Sequence, residues 1–146
     1  MRRYWLATYD SESWAIFCNL TEQKLGLRHP KPEIAVGDMF LCYVRSSGSI
    51  PGQWVSAERV TGPCHHDPRE IYPAGVWPYR WPVEPAVPRR SFGDGLTGRD
   101  LVGSMRLFDG LTQTTWGGAL RSQGRAVPRS DGELLVRLLE SGNLAS

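Results

Sequence analysis

The sequence feature that most constrains the fold is a nearly unbroken apolar run, Met39–Val44, which follows the turn Val36-Gly37-Asp38. A short run of this kind, without polar alternation, is typical of a strand that is buried on both faces. After a loop over residues 46–52, Gln53–Val60 returns as a second strand. Because the connection is short, we expect these two strands to pair as an antiparallel hairpin.

The segments before this hairpin predict one strand and one helix. Tyr4–Thr8 is aromatic and apolar, as a strand would be. Asp10-Ser11 then supplies N-cap chemistry for a short helix at about Ser11–Cys18. Residues 19–32 end in Pro30-Lys31-Pro32 and are predicted to be irregular.

The first segment after the hairpin is extended but interrupted by proline. Residues 76–87 contain several prolines, which cannot donate to a sheet ladder, so we expect a strand at an edge or with a bulge. Residues 97–109 are predicted to hold a helix, because Leu101, Met105 and Phe108 recur at helical spacing.

The last segment carries the clearest helix signal. Ser130 is the predicted N-cap, and Glu133 three residues later completes a capping box. Leucines at positions 134, 135, 138 and 139 form one apolar face, and Gly142 is the predicted stop.

This order of elements predicts an α+β protein with a small mixed or antiparallel sheet, open or closed into a barrel, and helices at one side. A length of 146 residues fits a single domain over residues 1–146. No apolar run approaches the ~18 residues of a membrane span, and the basic N-terminus lacks the apolar stretch of a secretory signal. We therefore expect a cytoplasmic protein with no membrane partner.

The net charge is only +2, so the chain lacks a strong basic footprint. Arginine dominates the basic residues, since Lys24 and Lys31 are the only lysines, and residues 80–129 hold eight arginines against four acids. Arginine suits phosphate binding and base stacking. High-GC coding also favours arginine over lysine, so this richness alone does not identify a partner.

The densest group of metal-capable residues is Cys64-His65-His66-Asp67. Adjacent residues rarely bind one metal in good geometry, and no second cysteine or histidine group stands at zinc-site spacing. We therefore expect a solvated loop, with no metal and no cofactor. A small enzyme or ligand-binding site that uses Cys64 and His66 remains an alternative, because only this cysteine has histidines beside it.

The aromatic residues are the remaining signal. Trp and Tyr at loops and strand ends can form a slot for a flat ring, with roughly 1–3 kcal/mol of stacking per base. Arginines 80, 89 and 90 follow directly and are placed to meet phosphates, so the pattern favours nucleobase recognition. The aromatic residues in such positions are Tyr9, Trp14, Tyr72 and Trp77.

Five segments, in order along nearly the whole chain, resemble the EVE domain, a member of the PUA-like superfamily related to the YTH readers of methylated adenosine. They are Tyr4-Trp5-Leu6 with Asp10–Trp14; Val36–Arg45; Gly52–Pro63; Tyr72-Pro73 with Trp77–Val83; and Trp116 with the final helix.

The resemblance implies a PUA-like barrel of five to six strands flanked by helices. It also implies a non-enzymatic reader that holds a flipped nucleobase in an aromatic cage, with modified cytosine in DNA or RNA favoured. A flipped base loses a few kcal/mol of stacking, which the cage must replace. An effector protein would act in trans.

The resemblance carries over to particular residues. Asp10, Ser11 and Ser13 match pocket-lining positions, while Tyr72 and Tyr79 match aromatic ones. The family's usual tryptophan after the first helix has no counterpart in residues 19–27, which contain no aromatic residue. The remaining predicted base-binding rings are Trp14, Trp54 and Trp77, and for Trp54 a place in the barrel core is an equal alternative. The predicted phosphate-binding residues are Arg80, Arg89, Arg90, Arg121 and Arg125.

A protein-interaction module is a further alternative. In that hypothesis the aromatic and proline residues of 72–88 form an exposed surface for a protein partner.

Overall fold

The computed structural model describes residues 2–73, 75–111, 116–121 and 123–141, and its main element is one mixed β-sheet. Helix α1 (Ser11–Cys18) follows the first strand, α2 (Gly98–Leu101) follows the seventh, and α3 (Arg129–Ser141) ends the described chain. These elements confirm the predicted α+β class. The strands are β1 (Tyr4–Tyr9), β2 (Lys24–Leu27), β3 (Met39–Val44), β4 (Gln53–Val60), β5 (His65–His66), β6 (Tyr79–Pro85), β7 (Leu96–Thr97) and β8 (Ala126–Val127).

The strands lie in the order β2-β6-β4-β3-β1-β8, with β5 also paired to β6 and β7 to β4. β1 and β3 run parallel, with Tyr4 opposite Met39 and Tyr9 opposite Val44, while the other pairs are antiparallel. The parallel pair therefore finishes at one end of the sheet. No pairing among the described residues joins β2 to β8, so the sheet path stays open.

Each face of the sheet carries its own core. On one face, Leu6 and Leu41 pack with Leu135 of α3. On the other face, Phe40 packs in a largely aromatic core that includes Phe17 of α1. All six side chains of β3 are buried, which confirms the prediction of a strand covered on both sides, and β3 and β4 form the predicted antiparallel pair.

The prediction that residues 19–32 are irregular is wrong at β2, which pairs with β6. The strand has only four residues and contains Gly26, so it lacks the pattern that identifies a strand from sequence. The glycine has a steric cause: a Cβ at Gly26 would lie 2.8 Å from the carbonyl oxygen of Trp77. The missing side chain thus lets Trp77 pack directly against β2.

Of the two alternatives predicted for residues 76–87, an edge strand or a bulged one, the edge position is wrong, because β6 lies between β2 and β4. Val83 N donates to Gln23 O, so the odd positions of β6 direct their N–H groups toward β2. Pro82 faces the other side, where the partner of β6 changes from β5 to β4. The missing proline N–H therefore falls at a gap in the ladder.

The single helix predicted over residues 97–109 is replaced by α2 and two 3₁₀ turns, Val102–Ser104 and Arg106–Phe108. Met105 between the turns is extended, with φ −117° and ψ 134°. The buried Asp131 carboxylate accepts hydrogen bonds from Arg106 N at 2.8 Å and Leu107 N at 2.6 Å. These amides are satisfied without a continuous helix, so the helical spacing of apolar residues misleads here.

Helix α3 begins at Arg129, one residue before the predicted N-cap Ser130. Leu135 and Leu139 are buried, which confirms the apolar face. Gly132 lets the helix approach β1, because a Cβ there would lie 2.3 Å from the Tyr4 ring. The predicted stop at Gly142 lies outside the described residues. No helix in the described ranges has the length and apolar character needed to cross a membrane.

Candidate ligand-binding site

The candidate site lies at the end of the sheet where β1 and β3 finish. Two cavities, of about 430 and 290 Å³, occupy this end, and Arg45 and Arg121 line both of them. Arg45 directly follows β3, and Thr8, near the end of β1, lines the larger cavity. We call the larger one the basic cavity and the smaller one the second cavity.

The basic cavity is lined by cations and one indole ring. Arg28, Lys31, Arg45 and Arg121 surround it together with Trp77, and its described lining includes no carboxylate. Asp10 Oδ2 lies 4.0 Å from Arg45 Nη2, but the Arg45 side chain is 58% exposed, so water screens this contact. The concentration of positive charge in a cleft therefore favours an anionic ligand.

Trp77 also belongs to a ring cluster, which consists of Tyr9, Trp14, Phe17, Tyr72 and Trp77. Tyr9 is central, with its centroid 5.4 Å from Trp14 and 6.5 Å from Trp77. The Tyr72 and Trp77 centroids are 4.8 Å apart. Each ring in the cluster is at most 6% exposed. The rings fill the space between one another, so Trp77, which lines the basic cavity, is the member best placed to meet a ligand.

Several buried polar atoms around the ring cluster and the basic cavity have no hydrogen-bond partner among the described residues. They include Ser13 Oγ, Trp77 Nε1 and Gln123 Oε1. The amide of Gln123 is held by a 2.5 Å hydrogen bond from its Nε2 to Thr8 O. An unsatisfied buried polar group costs about 1–3 kcal/mol. Trp77 and Gln123, which both line the basic cavity, thus each contain one buried polar atom without a partner, a donor and an acceptor respectively.

Burial keeps the two tyrosines of the ring cluster protonated. Loss of solvation raises the pKa of Tyr9 well above its ordinary value, with a further contribution from the neighbouring Tyr72. Desolvation likewise raises the pKa of Tyr72. Both rings are therefore neutral at physiological pH, and the Tyr72 hydroxyl keeps its proton to donate.

Helix α1 begins next to the ring cluster. The polar residues predicted to bind the base at its start have different roles. Asp10 is the N-cap, because its Oδ1 accepts a 2.7 Å hydrogen bond from Ser13 N. Ser11 is partly buried, and Ser13 is fully buried. Trp14 Nε1 donates to Arg90 O at 2.9 Å, so its ring is fixed to the chain segment after β6.

Arg80 lies inside the protein, where it anchors the segment that carries Tyr72 and Trp77. Its side chain is 4% exposed, and its Nη1 lies 3.1 Å from Asp67 Oδ2. Its Nε donates to Trp77 O at 3.1 Å, and its Nη2 donates to Arg69 O. Hydrogen bonds from Arg69 and the charge of Arg80 hold the pKa of Asp67 well below its usual range. These contacts use Arg80 to position the loop.

Arg89 and Arg90 also have internal partners. Arg89 donates to both oxygens of the fully buried Glu58, at 2.9 and 2.5 Å, and lies over the Phe17 ring. Ser56 Oγ donates to the same carboxylate. Arg90 donates to Leu139 O at 3.0 Å. The structure thus places these two predicted phosphate-binding residues in contacts that hold the protein together.

The other two predicted phosphate-binding residues are exposed. Arg121 lines both cavities and has no ion pair among the described residues. Arg125 lies at the surface before β8, and its Nη1 is 3.5 Å from Ala119 O. Of the five predicted arginines, Arg121 is the one that lines the basic cavity.

Two predicted base-binding rings lie apart from the ring cluster. Trp54 is fully buried in the core on the opposite face of the sheet, edge-on to Tyr43 at 5.1 Å. Tyr79 is partly buried and packs edge-on against His66 at 5.5 Å. The structure therefore brings together Trp14, Tyr72 and Trp77 and does not bring Trp54 to them.

The Cys64 and His66 pair shows no geometry that activates the thiol. Cys64 Sγ contacts the carbonyl oxygen of His65 at 3.8 Å, and partial burial raises the pKa of Cys64. A raised pKa disfavours the thiolate that a nucleophile or metal ligand requires. Within the described ranges, no group of three or more His, Cys, Asp or Glu residues is arranged to hold a metal ion.

Most of the cations at the site were not predicted from the sequence. Arg28 follows β2 and Arg45 follows β3, so a basic residue just after a predicted strand was the available signal. Tyr9 was among the rings predicted at loops and strand ends but not among the predicted base-binding residues, although it is the centre of the ring cluster. Thr8 and Arg45 lie at the same end of the sheet because β1 and β3 are parallel, and strand direction is not visible in the sequence.

Solved structures share this fold. A hypothetical protein from Leishmania major matches with a TM-score of 0.60 and 15% identity, over 97% of this chain and 96% of that one. An Agrobacterium tumefaciens protein matches with a TM-score of 0.56 and 16% identity, over 99% of this chain and 95% of that one. Identities this low show the fold alone. No protein-family model matches the chain, and no curated protein matches it.

Proposed function

We propose that the chain is a nucleic-acid-binding reader that holds one nucleobase, with modified cytosine favoured, against Trp77 in the basic cavity. The observation that carries the proposal is that one cavity is lined by several cations, by the Trp77 indole and by Gln123, and that the Trp77 N–H and the Gln123 amide oxygen have no partner among the described residues. A base requires a stacking surface and both hydrogen-bonding polarities, and its phosphates require cations.

The size of the basic cavity supports this proposal. At about 430 Å³ it falls within the range of ~300–1,000 Å³ that is typical of small-molecule sites. Such a cavity accommodates a base and its sugar without rearrangement of the ring cluster. A methyl group on the base adds apolar area next to Leu27, which also lines the cavity, and each buried CH₂-sized group contributes about 0.8 kcal/mol.

The proposal includes a PUA-like fold, in which the sheet curls around a core. The parallel β1–β3 pair inside an otherwise antiparallel sheet supports it, as does the presence of a core on each face. Trp77 takes the part of the missing family tryptophan, because it packs over Gly26 in the segment that lacks aromatic residues. In this proposal, phosphate binding falls to Arg45 and Arg121, since Arg80, Arg89 and Arg90 have internal partners.

The test compares two tryptophans that both have an unpartnered buried Nε1. Trp77→Phe removes the N–H at the cavity, and we expect 3- to 10-fold weaker binding, since a net hydrogen bond contributes about 1 kcal/mol. Trp77→Ala also removes the stacking surface, so we expect a 10- to 100-fold loss. Trp54→Phe, on the other face of the sheet, is the matched control and is expected to bind as the parent does.

The ligands are matched short DNA and RNA oligonucleotides with cytosine, 5-methylcytosine, 5-hydroxymethylcytosine or N6-methyladenine, titrated by fluorescence anisotropy. We expect one modified base to bind more tightly than its unmodified form. Equal binding of all bases would contradict the reader proposal. Equal losses in Trp77→Phe and Trp54→Phe would contradict the assignment of the base to this cavity.

A further inference from the structure

The second cavity, of about 290 Å³, is a separate binding space beside the basic cavity. Arg45, Ser46, Arg99 and Arg121 line one part of it, and Tyr43 and Gly52 line another. The Tyr43 side chain packs directly on Gly52, so a Cβ at position 52 would clash with the Tyr43 hydroxyl. This cavity therefore combines three guanidinium groups with a fixed wall of tyrosine and backbone.

The two cavities share Arg45 and Arg121, so these two side chains form the boundary between them. The Arg45 side chain is 58% exposed, and Arg121 is exposed. Neither has a close ion pair among the described residues, since the one contact, between Arg45 and Asp10, is 4.0 Å long. The boundary thus offers two cations that remain available to a ligand in either cavity.

The second cavity differs from the basic cavity in what it offers. Trp77 and Gln123, with their unpartnered polar atoms, belong only to the basic cavity. Arg99 belongs only to the second cavity, at the start of α2, and is exposed. No carboxylate is among the described residues that line the second cavity. The second cavity is therefore suited to a phosphate and its sugar. These groups require cations and hydrogen bonds, but they do not require recognition of the edge of a base.

We propose that the second cavity binds the phosphodiester and sugar adjacent to the base in the basic cavity, so that one nucleic-acid strand crosses the Arg45–Arg121 boundary. This inference rests on the proposed nucleobase function. It adds that the ligand is a strand of at least two nucleotides, with Arg99 holding the second one. A free mononucleotide would leave Arg99 without a contact.

The experiment measures the binding of three ligands that contain the preferred base: the nucleoside monophosphate, the dinucleotide with a neighbour on the 5′ side, and the dinucleotide with a neighbour on the 3′ side. Wild type is expected to bind one dinucleotide at least 5-fold more tightly than the monophosphate. The preferred dinucleotide gives the direction in which the strand crosses the boundary.

The decisive variant is Arg99→Gln, which removes the charge and keeps most of the side chain. We expect this variant to lose the dinucleotide advantage: it should bind the dinucleotide 3- to 10-fold more weakly and the monophosphate with unchanged affinity. Arg137→Gln, at an exposed position of α3 that lines neither cavity, is the matched control. It is expected to bind both ligands with the wild-type affinity. Thermal melting of both variants checks that the fold is retained.

The outcomes separate this inference from the function on which it rests. If wild type binds no oligonucleotide at all, the proposed function fails. If wild type binds oligonucleotides but Arg99→Gln keeps the full dinucleotide advantage, only the second-cavity inference fails. Inorganic phosphate that binds wild type, competes with the dinucleotide and loses affinity in Arg99→Gln, without a dinucleotide advantage, would identify a small-anion pocket and overturn the strand assignment.

Discussion

At the scale of single residues, the buried contact between Glu58 and Arg89 explains why an arginine that looks suited to phosphate is not exposed to one. Glu58 is fully buried on β4, and Arg89 meets both of its carboxylate oxygens while lying over Phe17. The Ser56 hydroxyl adds a third donor to the same carboxylate. A buried carboxylate needs this full set of partners, because its desolvation is costly.

We predict that Arg89→Met destabilises the protein by about 3–5 kcal/mol, because it leaves the Glu58 carboxylate buried without its cation. Urea unfolding, followed by circular dichroism, measures the loss. Arg59→Met is the matched control, because Arg59 lies next to Glu58 on β4 and pairs with Glu84 at 2.9 Å at the surface. Such surface pairs contribute at most about 1 kcal/mol. Similar losses in both variants would contradict this role of Arg89.

The residue scale also shows what the sequence could predict of the site. Aromatic residues at strand ends identified Trp14, Tyr72 and Trp77, which the structure brings together. Trp54 entered the prediction through the family resemblance, which left a cage wall and a core ring equally open, because the face of a strand on which a ring lies depends on register. β4 has a register shift opposite Cys42/Tyr43, and the sequence contains no mark of it. The partner of Arg89, likewise, is set by packing across the sheet.

At the scale of elements, the loop from Asp67 to Trp77 has the most direct bearing on the site. It leaves β5, carries Tyr72 and Trp77 to the ring cluster, and leads to β6. Its start is fixed by Asp67, which lies 2.7 Å from Arg69 Nη2 and 3.1 Å from Arg80 Nη1. The position of Trp77 at the cavity therefore depends on a carboxylate ten residues earlier in the chain.

We predict that acid releases this loop. Hydrogen bonds from Arg69 and the charge of Arg80 lower the pKa of Asp67 in the folded protein. A depressed folded pKa stabilises the folded state above the unfolded pKa, which is about 3.9 for aspartate, and this stabilisation is lost as the pH falls below that value. The tryptophan fluorescence of the parent protein should change as the pH falls from 6 to 2. The Asp67→Asn variant should show the changed fluorescence already at pH 6.

The control for the acid prediction is Asp94→Asn, which changes an exposed carboxylate outside the loop. We expect this variant to keep the acid profile of the parent protein. An Asp67→Asn variant that matches the parent at both ends of the pH range would show that Asp67 does not hold the loop.

The elements also mark the limit of prediction from sequence. The apolar run of β3 and the leucine face of α3 were recognised because each element buries a continuous pattern of its own. β2 was missed, and an edge position was one of two alternatives for β6, because each strand depends on its neighbours: Gly26 accommodates Trp77, and Pro82 stands where the partner of β6 changes. The structure of residues 97–109 also depends on a neighbouring element, since Asp131 of α3 accepts hydrogen bonds from the amides of Arg106 and Leu107.

At the scale of the whole molecule, the net charge of +2 conceals a strong separation of charge. Among the described residues, three carboxylates are buried and hydrogen-bonded inside the protein, those of Asp38, Glu58 and Asp131. None of these three carboxylates lines either cavity, so none is in direct contact with a ligand there. The described cations that line the two cavities, by contrast, are Arg28, Lys31, Arg45, Arg99 and Arg121.

We therefore predict that the salt dependence of binding reflects these cavity cations and not the net charge. For a single strand, each neutralised phosphate contributes a slope of about −0.7 to log K against log salt concentration. A strand that crosses both cavities should give a slope between about −1.5 and −3.5, since at most five cations line them. Arg45→Gln should reduce the slope by about 0.7, whereas Arg137→Gln should leave it unchanged.

The same titrations separate base recognition from phosphate recognition. Stacking on Trp77 and the hydrogen bonds of the base release no counterions, so the ratio of affinities for modified and unmodified base should stay nearly constant as salt rises. The absolute affinity for both should fall along the same slope. A ratio that collapses toward one at high salt would mean that the apparent preference comes from phosphate contacts, and the ring at the cavity wall would then have no part in choosing the base.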